Sequence, residues 1–173
     1  MILADTTNLI LAGGSQPGLL LAGLAIADEL RSLVPHARIL FAGTETGDDC
    51  RQICRAGYEY VVLDPARASR ALWGWRLPRT RWGEPQWLLN RTQPAAVVSL
   101  GGSLGESMGR AAVRLGLPLV LLEQRAAASR GTRRLAAKAQ LLCQGFPFRN
   151  DAAWHVAGMI RDLISPGAKP CAA

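Results

Sequence analysis

Cysteine and histidine are scarce in this chain, at four and two residues in 173. Cys50, Cys54, Cys143 and Cys171 are too few for a disulfide scaffold at this length. Cys50 and Cys54 stand four apart, the spacing of neighbours on one helix face. No further ligands lie close by in sequence, so they read as two half-buried thiols of one helix and no metal site is expected. No run of about eighteen uncharged apolar residues exists, so no segment can cross a bilayer as a helix. Residues Met1 to Thr7 lack the basic-then-apolar order of a secretory signal, and Asp5 interrupts them. A cytoplasmic location is the expectation. Disorder is excluded as well, because 49% of residues are hydrophobic and only 19% are charged.

Positive charge is abundant. Twenty Lys and Arg against thirteen Asp and Glu leave a net charge of +7. Such a balance suits nucleic acid, an anionic membrane face or a phosphorylated substrate, and composition alone does not choose among them. The length is that of one domain with a substantial core.

Short apolar runs alternate with helical patterns along the chain. Residues 8–12, 38–42, 58–63, 95–100, 117–122 and 141–143 read as buried strands. Residues 19–33, 48–56, 107–115, 129–139 and 151–164 read as helices, punctuated by Pro35, Gly57, Gly116 and Pro118. Continuous apolar strands between helices predict an α/β fold: one Rossmann-like domain with a mostly parallel sheet of about six strands and helices on both faces. The domain is expected over residues 1–164, with residues 165–173 as a flexible tail.

Two glycine-rich loops follow strands and precede helices. The first is Gly13-Gly14-Ser15-Gln16-Pro17-Gly18 and the second is Gly101-Gly102-Ser103-Leu104-Gly105. Glycine lets the backbone approach a ligand, and a helix N-terminus offers free N–H groups to an anion. Neither the dinucleotide spacing nor a P-loop Lys-Ser/Thr is present. The first loop alone reads equally well as a tight turn. Both loops together, with Glu123-Gln124 closing a third strand, predict one crevice at the carboxyl ends of the strands, where open α/β sheets bind ligands.

The ordered motifs Leu11-Ala12-Gly13-Gly14, Gly23 to Leu30, Gly43-Thr44, Ala56-Gly57-Tyr58, Ser99-Leu100-Gly101-Gly102, Leu115 to Val120 and Glu123-Gln124 resemble the MurG-type glycosyltransferases. The resemblance runs from about Leu9 to Arg161. It implies the N-terminal half of a GT-B enzyme. In that family two Rossmann-like domains enclose a cleft, and N-acetylglucosamine passes from UDP to a membrane lipid-diphosphate acceptor of cell-wall synthesis. This chain resembles the acceptor-binding domain, so a separate UDP-sugar-binding subunit is an implied partner, with no cofactor and no metal. On this resemblance Gly13, Gly14, Ser15, Gly18, Gly101, Gly102, Ser103, Gln124 and Arg125 line the acceptor site.

Two departures bear on catalysis. The family's first loop carries Gly-Gly-Thr-Gly-Gly-His, whereas here it is one residue longer and has no histidine. The family's later His-Glu-Gln-Asn is Leu122-Glu123-Gln124-Arg125. His36 and His155 match neither place, which leaves Glu123 as the candidate base, with a purely structural carboxylate as its other reading. Loss of a positioned general base costs about 10²–10⁴-fold in rate. A catalytically silent domain that binds a phosphorylated lipid or a cell-wall enzyme is therefore the rival expectation.

Residues 67–91 break the strand–helix rhythm. They hold four of the five tryptophans, Trp73, Trp75, Trp82 and Trp87, and six arginines, with Glu84 as their one acid. A core-packed helical hairpin and a grip on single-stranded nucleic acid are both open readings. An anionic membrane surface is preferred, because Trp favours the membrane–water interface and Arg favours anionic headgroups. The contact set is then Trp73, Trp75, Arg76, Arg79, Arg81 and Trp82, peripheral at the inner face of the plasma membrane, with no nucleic-acid partner.

Overall fold

The computed structural model describes residues 7–13, 17–44, 48–63, 84–123, 130–144 and 150–165. Among them are strands β1 (Asn8–Ala12), β2 (Arg38–Gly43), β3 (Glu59–Val62), β4 (Ala96–Ser99), β5 (Leu119–Glu123) and β6 (Leu141–Gln144). Between and after the strands lie helices α1 (Pro17–Leu33), α2 (Asp48–Arg55), α3 (Glu84–Thr92), α4 (Gly102–Arg114), α5 (Arg130–Ala136) and α6 (Asn150–Ile164). The strands form one sheet in the order β3-β2-β1-β4-β5-β6, and every pairing is parallel.

Both faces of this sheet are buried, which explains why its central strands are continuously apolar rather than alternating. Leu9 and Leu11 of β1 point to one face with Phe41, Val98 and Val120. There they meet Ile26 and Leu30 of α1, Ile53 of α2, and Val156 and Ile160 of α6. Ile10 and Ala12 point to the other face with Val97 and Leu121. They meet Leu88 and Leu89 of α3, Leu104 and Met108 of α4, and Leu135 of α5. Two helical layers thus sandwich the sheet, in agreement with the expected architecture.

Helix α3 forms at the end of the tryptophan–arginine segment and buries Leu88 and Leu89, as the core-packed helical reading expects of those residues. One element differs from the sequence expectation. Helix α4 begins at Gly102, five positions before residue 107. Gly102, Gly105 and Gly109 lower its local helix propensity and hide its first turns from pattern reading. Gly105 and Gly109 also permit close packing: a β-carbon on Gly105 would stand 3.2 Å from the Ala12 carbonyl oxygen and 2.7 Å from Ser99 Oγ.

Two tyrosines tie the β3 side together. Tyr58 donates to Asp28 Oδ1 at 2.6 Å, and the Arg31 guanidinium lies 4.0 Å from its ring centre. Burial, and then Asp28, raise its phenol above the ordinary range. Tyr60 donates to the Thr44 carbonyl at 3.0 Å. Burial first, then the neighbouring Cys50 and Asp49, push the Tyr60 phenol up to about 12. A phenol whose value is raised by folding stabilises the fold while protonated, and that contribution disappears as pH climbs past the unfolded value of about 10. The urea midpoint should therefore hold steady up to about pH 9 and fall between the ordinary tyrosine range and about 12. Tyr60→Phe should shrink that alkaline fall; an unchanged pH profile would show that Tyr60 does not cause it.

Candidate functional site

Strands β1, β4 and β5 are consecutive in the sheet, so their carboxyl ends and the loops that leave them stand side by side. Direction reverses at the β1–β4 pair: from β1 the chain winds to β2 and β3 on one side, then returns to β4 on the other. This switch point is where α/β sheets open a crevice.

Here the two glycine loops are in backbone contact. Gly13 has φ +121°, and a β-carbon there would lie 2.5 Å from the Gly101 carbonyl oxygen and 3.3 Å from the Leu100 carbonyl carbon. Its N–H donates to the Ala42 carbonyl at 3.1 Å, while Leu100 N–H donates to the Ala12 carbonyl at 2.8 Å. Gly101 has φ +81° and sits over the end of β5, with its own β-carbon position 3.9 Å from the Leu122 carbonyl oxygen. Ser99, only 2% exposed, accepts a bond from the Gly101 N–H at 3.4 Å. Gly102, with φ +73°, and Ser103 then open α4 and face solvent. The cap residue Gly101 has no side chain to bond the first-turn N–H groups of this thirteen-residue helix. A helix N-terminus left without a side-chain cap is suited to phosphate oxygens.

Glu123 ends β5 beside this contact, 9% exposed and opposite Gln144 of β6. The structure therefore brings Gly13, Gly101, Gly102, Ser103 and Glu123 to one edge, and Gly18 lies in the first turn of α1. Gly14, Ser15, Gln124 and Arg125 lie outside the described residues, as do Trp73, Trp75, Arg76, Arg79, Arg81 and Trp82. His36 occupies the turn between α1 and β2, at the opposite end of the strands. His155 is exposed on α6, in a groove shared with Leu33 at the far end of α1. Neither imidazole reaches the crevice.

Two features escape the sequence reading. Ser99 and Gly105 support the loop contact from beneath; the Gly-Gly-x-x-Gly spacing of 101, 102 and 105 was the available signal, since a third glycine serves helix–strand packing in such loops. The second feature is a segregation of charge. Helices α3, α4 and α5 with the following turn carry six arginines and Lys138 against two glutamates. Helices α1, α2 and α6 carry six acids and four arginines. In the basic layer Arg110, Arg114, Arg134 and Lys138 line a groove of about 240 Å³ floored by Val113 and Leu135. Trp87 of α3 stands 55% exposed on the same layer, with the Arg91 guanidinium 5.6 Å from its ring centre.

This all-parallel sheet with glycine loops at its switch point defines a Rossmann-type domain of the kind found in GT-B glycosyltransferases. Its fold matches the crystal structure of Acinetobacter baumannii MurG with a TM-score of 0.63 at 20% identity, over 82% of this chain and 42% of that one. The Staphylococcus aureus MnaA–UDP structure matches at 0.56 and 8% identity, over 91% of this chain and 37% of that one.

Sequence comparison narrows the kinship. A UDP-N-acetylglucosamine–N-acetylmuramyl-(pentapeptide) pyrophosphoryl-undecaprenol N-acetylglucosamine transferase of Acidithiobacillus ferrooxidans is 34% identical over 148 residues, 81% of this chain and 40% of the relative. The Thermus thermophilus protein of the same name is 34% identical over 80% of this chain and 41% of its own length, and the Bacteroides fragilis one 28% over 82% and 39%. No family model matches the chain. The chain is a homologue of the MurG-type glycosyltransferases and spans about two fifths of the length of the relatives it matches.

The loop contact makes a sharp demand on Gly13. Gly13→Ala should cost about 2–4 kcal/mol, combining backbone strain with a clash against carbonyl oxygen. Gly57→Ala is the matched control, since Gly57 also has positive φ but open space around its β-carbon position. It should cost only about 1–2 kcal/mol. Equal urea-denaturation losses in the two variants would contradict the close contact.

Proposed function

We propose that this chain is the acceptor-binding half of a lipid-directed N-acetylglucosaminyltransferase. The observation that carries the reading is the backbone contact of Gly13 with Gly101 at the switch point, in a homologue of enzymes that glycosylate a pyrophosphoryl lipid. The acceptor diphosphate would lie against the Gly101–Gly102 backbone and the first turn of α4, with Gly14, Ser15, Gly18, Ser103, Gln124 and Arg125 completing the site. The acceptor hydroxyl oxygen would attack the anomeric carbon of the donor sugar as the bond to UDP breaks and UDP leaves with the electron pair. Glu123 would take the hydroxyl proton. The nucleotide sugar itself would be held by a separate UDP-sugar-binding domain or subunit.

The basic layer supports a peripheral position on an anionic membrane, at its cytoplasmic face. Each Lys or Arg near such a surface contributes about 1 kcal/mol, and an exposed Trp adds an interfacial anchor. No described helix is long and apolar enough to cross a membrane. The tryptophans and arginines of residues 73–82 would extend this contact.

One observation favours a second reading, a silent domain that binds the lipid without chemistry. Both histidines of the chain lie away from the crevice, so no imidazole is available there as a base.

Binding separates these ideas from a plain turn. A soluble lipid-diphosphate analogue should bind the chain, and Gly102→Val should weaken it at least tenfold while circular dichroism stays native; undiminished binding would return both loops to the status of turns. Reversal of Arg110 and Arg134 to Glu should lower affinity for anionic vesicles at least tenfold at low salt, in line with the charge lost. Equal sedimentation of wild type and this variant with anionic vesicles would remove the basic layer from the membrane contact. Transfer of N-acetylglucosamine on adding a UDP-sugar-binding domain, abolished by Glu123→Gln, would exclude the silent reading.

A further inference from the structure

Helix α2 carries a feature unrelated to the crevice. Cys50 and Cys54 are both free thiols, half-buried and exposed respectively, on the single full turn between the acidic start of the helix and Arg55. Ile53 alone of α2 is fully buried, so it fixes the rotation of the helix and leaves both thiols on its flank. Each thiol lies within electrostatic reach of the other. Tyr60 of the adjoining strand β3 lies close enough to feel both.

Two chemistries are open to a thiol pair, and geometry separates them. Residues four apart on a helix hold their β-carbons about 5–6 Å apart. A disulfide needs about 3.5–4.5 Å and cannot close without unwinding α2. A metal ion between two sulfurs spans more: with metal–sulfur bonds of about 2.3 Å, a linear pair sets the sulfurs roughly 4.6 Å apart. That fits thiols projecting from an intact helix. No group of three or more His, Cys, Asp or Glu able to hold a metal occurs among the described residues. A four-coordinate zinc site has no basis here, whereas two-coordinate ligation needs only these two side chains.

We infer that Cys50 and Cys54 form a two-coordinate site for a soft monovalent d¹⁰ cation of the copper(I) class. Thiolates select such ions over harder ones. The step is balanced without electron transfer: two thiols and one M⁺ give a bis-thiolate complex of charge −1 and two released protons. Arg51 and Arg55 follow the two cysteines in sequence, with Asp48 and Asp49 at the helix start. The bound ion staples one turn of α2 beside the carboxyl end of β2, the same sheet edge that bears the glycine loops.

The test uses the intact chain, kept reduced and free of oxygen, with Ag⁺ as a redox-inert probe and Cu⁺ as the second ion. One ion should bind tightly per chain, with two protons released to a weak buffer and a raised melting temperature. Cys50→Ser and Cys54→Ser should each weaken this binding by about a hundredfold or more, as loss of one arm of a two-armed chelate does. Cys143→Ser should not, because Cys143 is half-buried on β6 with its thiol pushed up to about 11 by burial. Alkylation of Cys50 and Cys54, read by peptide mass, should be blocked by one equivalent of Ag⁺. Tight binding that survives either Ser variant, or an intrahelical disulfide formed readily by glutathione disulfide with α2 still helical, would overturn the assignment.

Discussion

At the carboxyl end of β1 the chain passes so close to the end of β4 that no side chain fits between them. Gly13 sits against the Gly101 carbonyl, and Gly105 sits against the Ala12 carbonyl from the other side. Each contact is backbone to backbone, so the usual remedy of a repacked side chain is closed to it. Helices α1 and α4 both start from the loops at this switch point, beside the end of β5. Positive φ at Gly13, Gly101 and Gly102 is the conformational requirement that goes with it.

The sheet and the charge pattern then divide the labour of the molecule. Right-handed crossovers put α1 and α2 on one face and α4 and α5 on the other, with α3 and α6 completing the two layers. The arginines of α3, α4 and α5 are collected by that rule onto a single layer. Surface charges separated by less than a Debye length act together, so their gathering matters more than the net charge of the whole chain. The layer presents Trp87 and the Arg110–Lys138 groove on one side while its inner face packs Leu88, Leu89 and Met108.

Glu123 ends β5 at the switch-point edge, and neither histidine of the chain lies near it. The two histidines are placed by their elements, one in the turn at the far end of the strands and one on the outer flank of α6. A carboxylate at a crevice serves either as a base or as a tie for loop amides, and these roles make the same demand on burial and position. Chemistry and silent binding are therefore separated by turnover with a donor domain present.

Most of the architecture is legible from the chain itself. Runs such as Leu9-Ile10-Leu11 and Leu119 to Leu122 are apolar at every position, which only a strand covered on both faces requires. Glycines that end strands mark the two loops, and the motif order carries the kinship with the MurG-type enzymes. The start of α4 was hidden because Gly102 and Gly105 are poor helix formers, the first set at positive φ and the second in close packing; at α3 the mixed composition left a helical hairpin as one of three readings. What the tertiary structure alone decides are meetings between segments far apart in sequence: Gly13 with Gly101, Tyr58 with Asp28, and Arg110 with Arg134 across one groove. Local propensity and hydrophobic period constrain each element separately; which elements become neighbours is set only when the strand order is chosen.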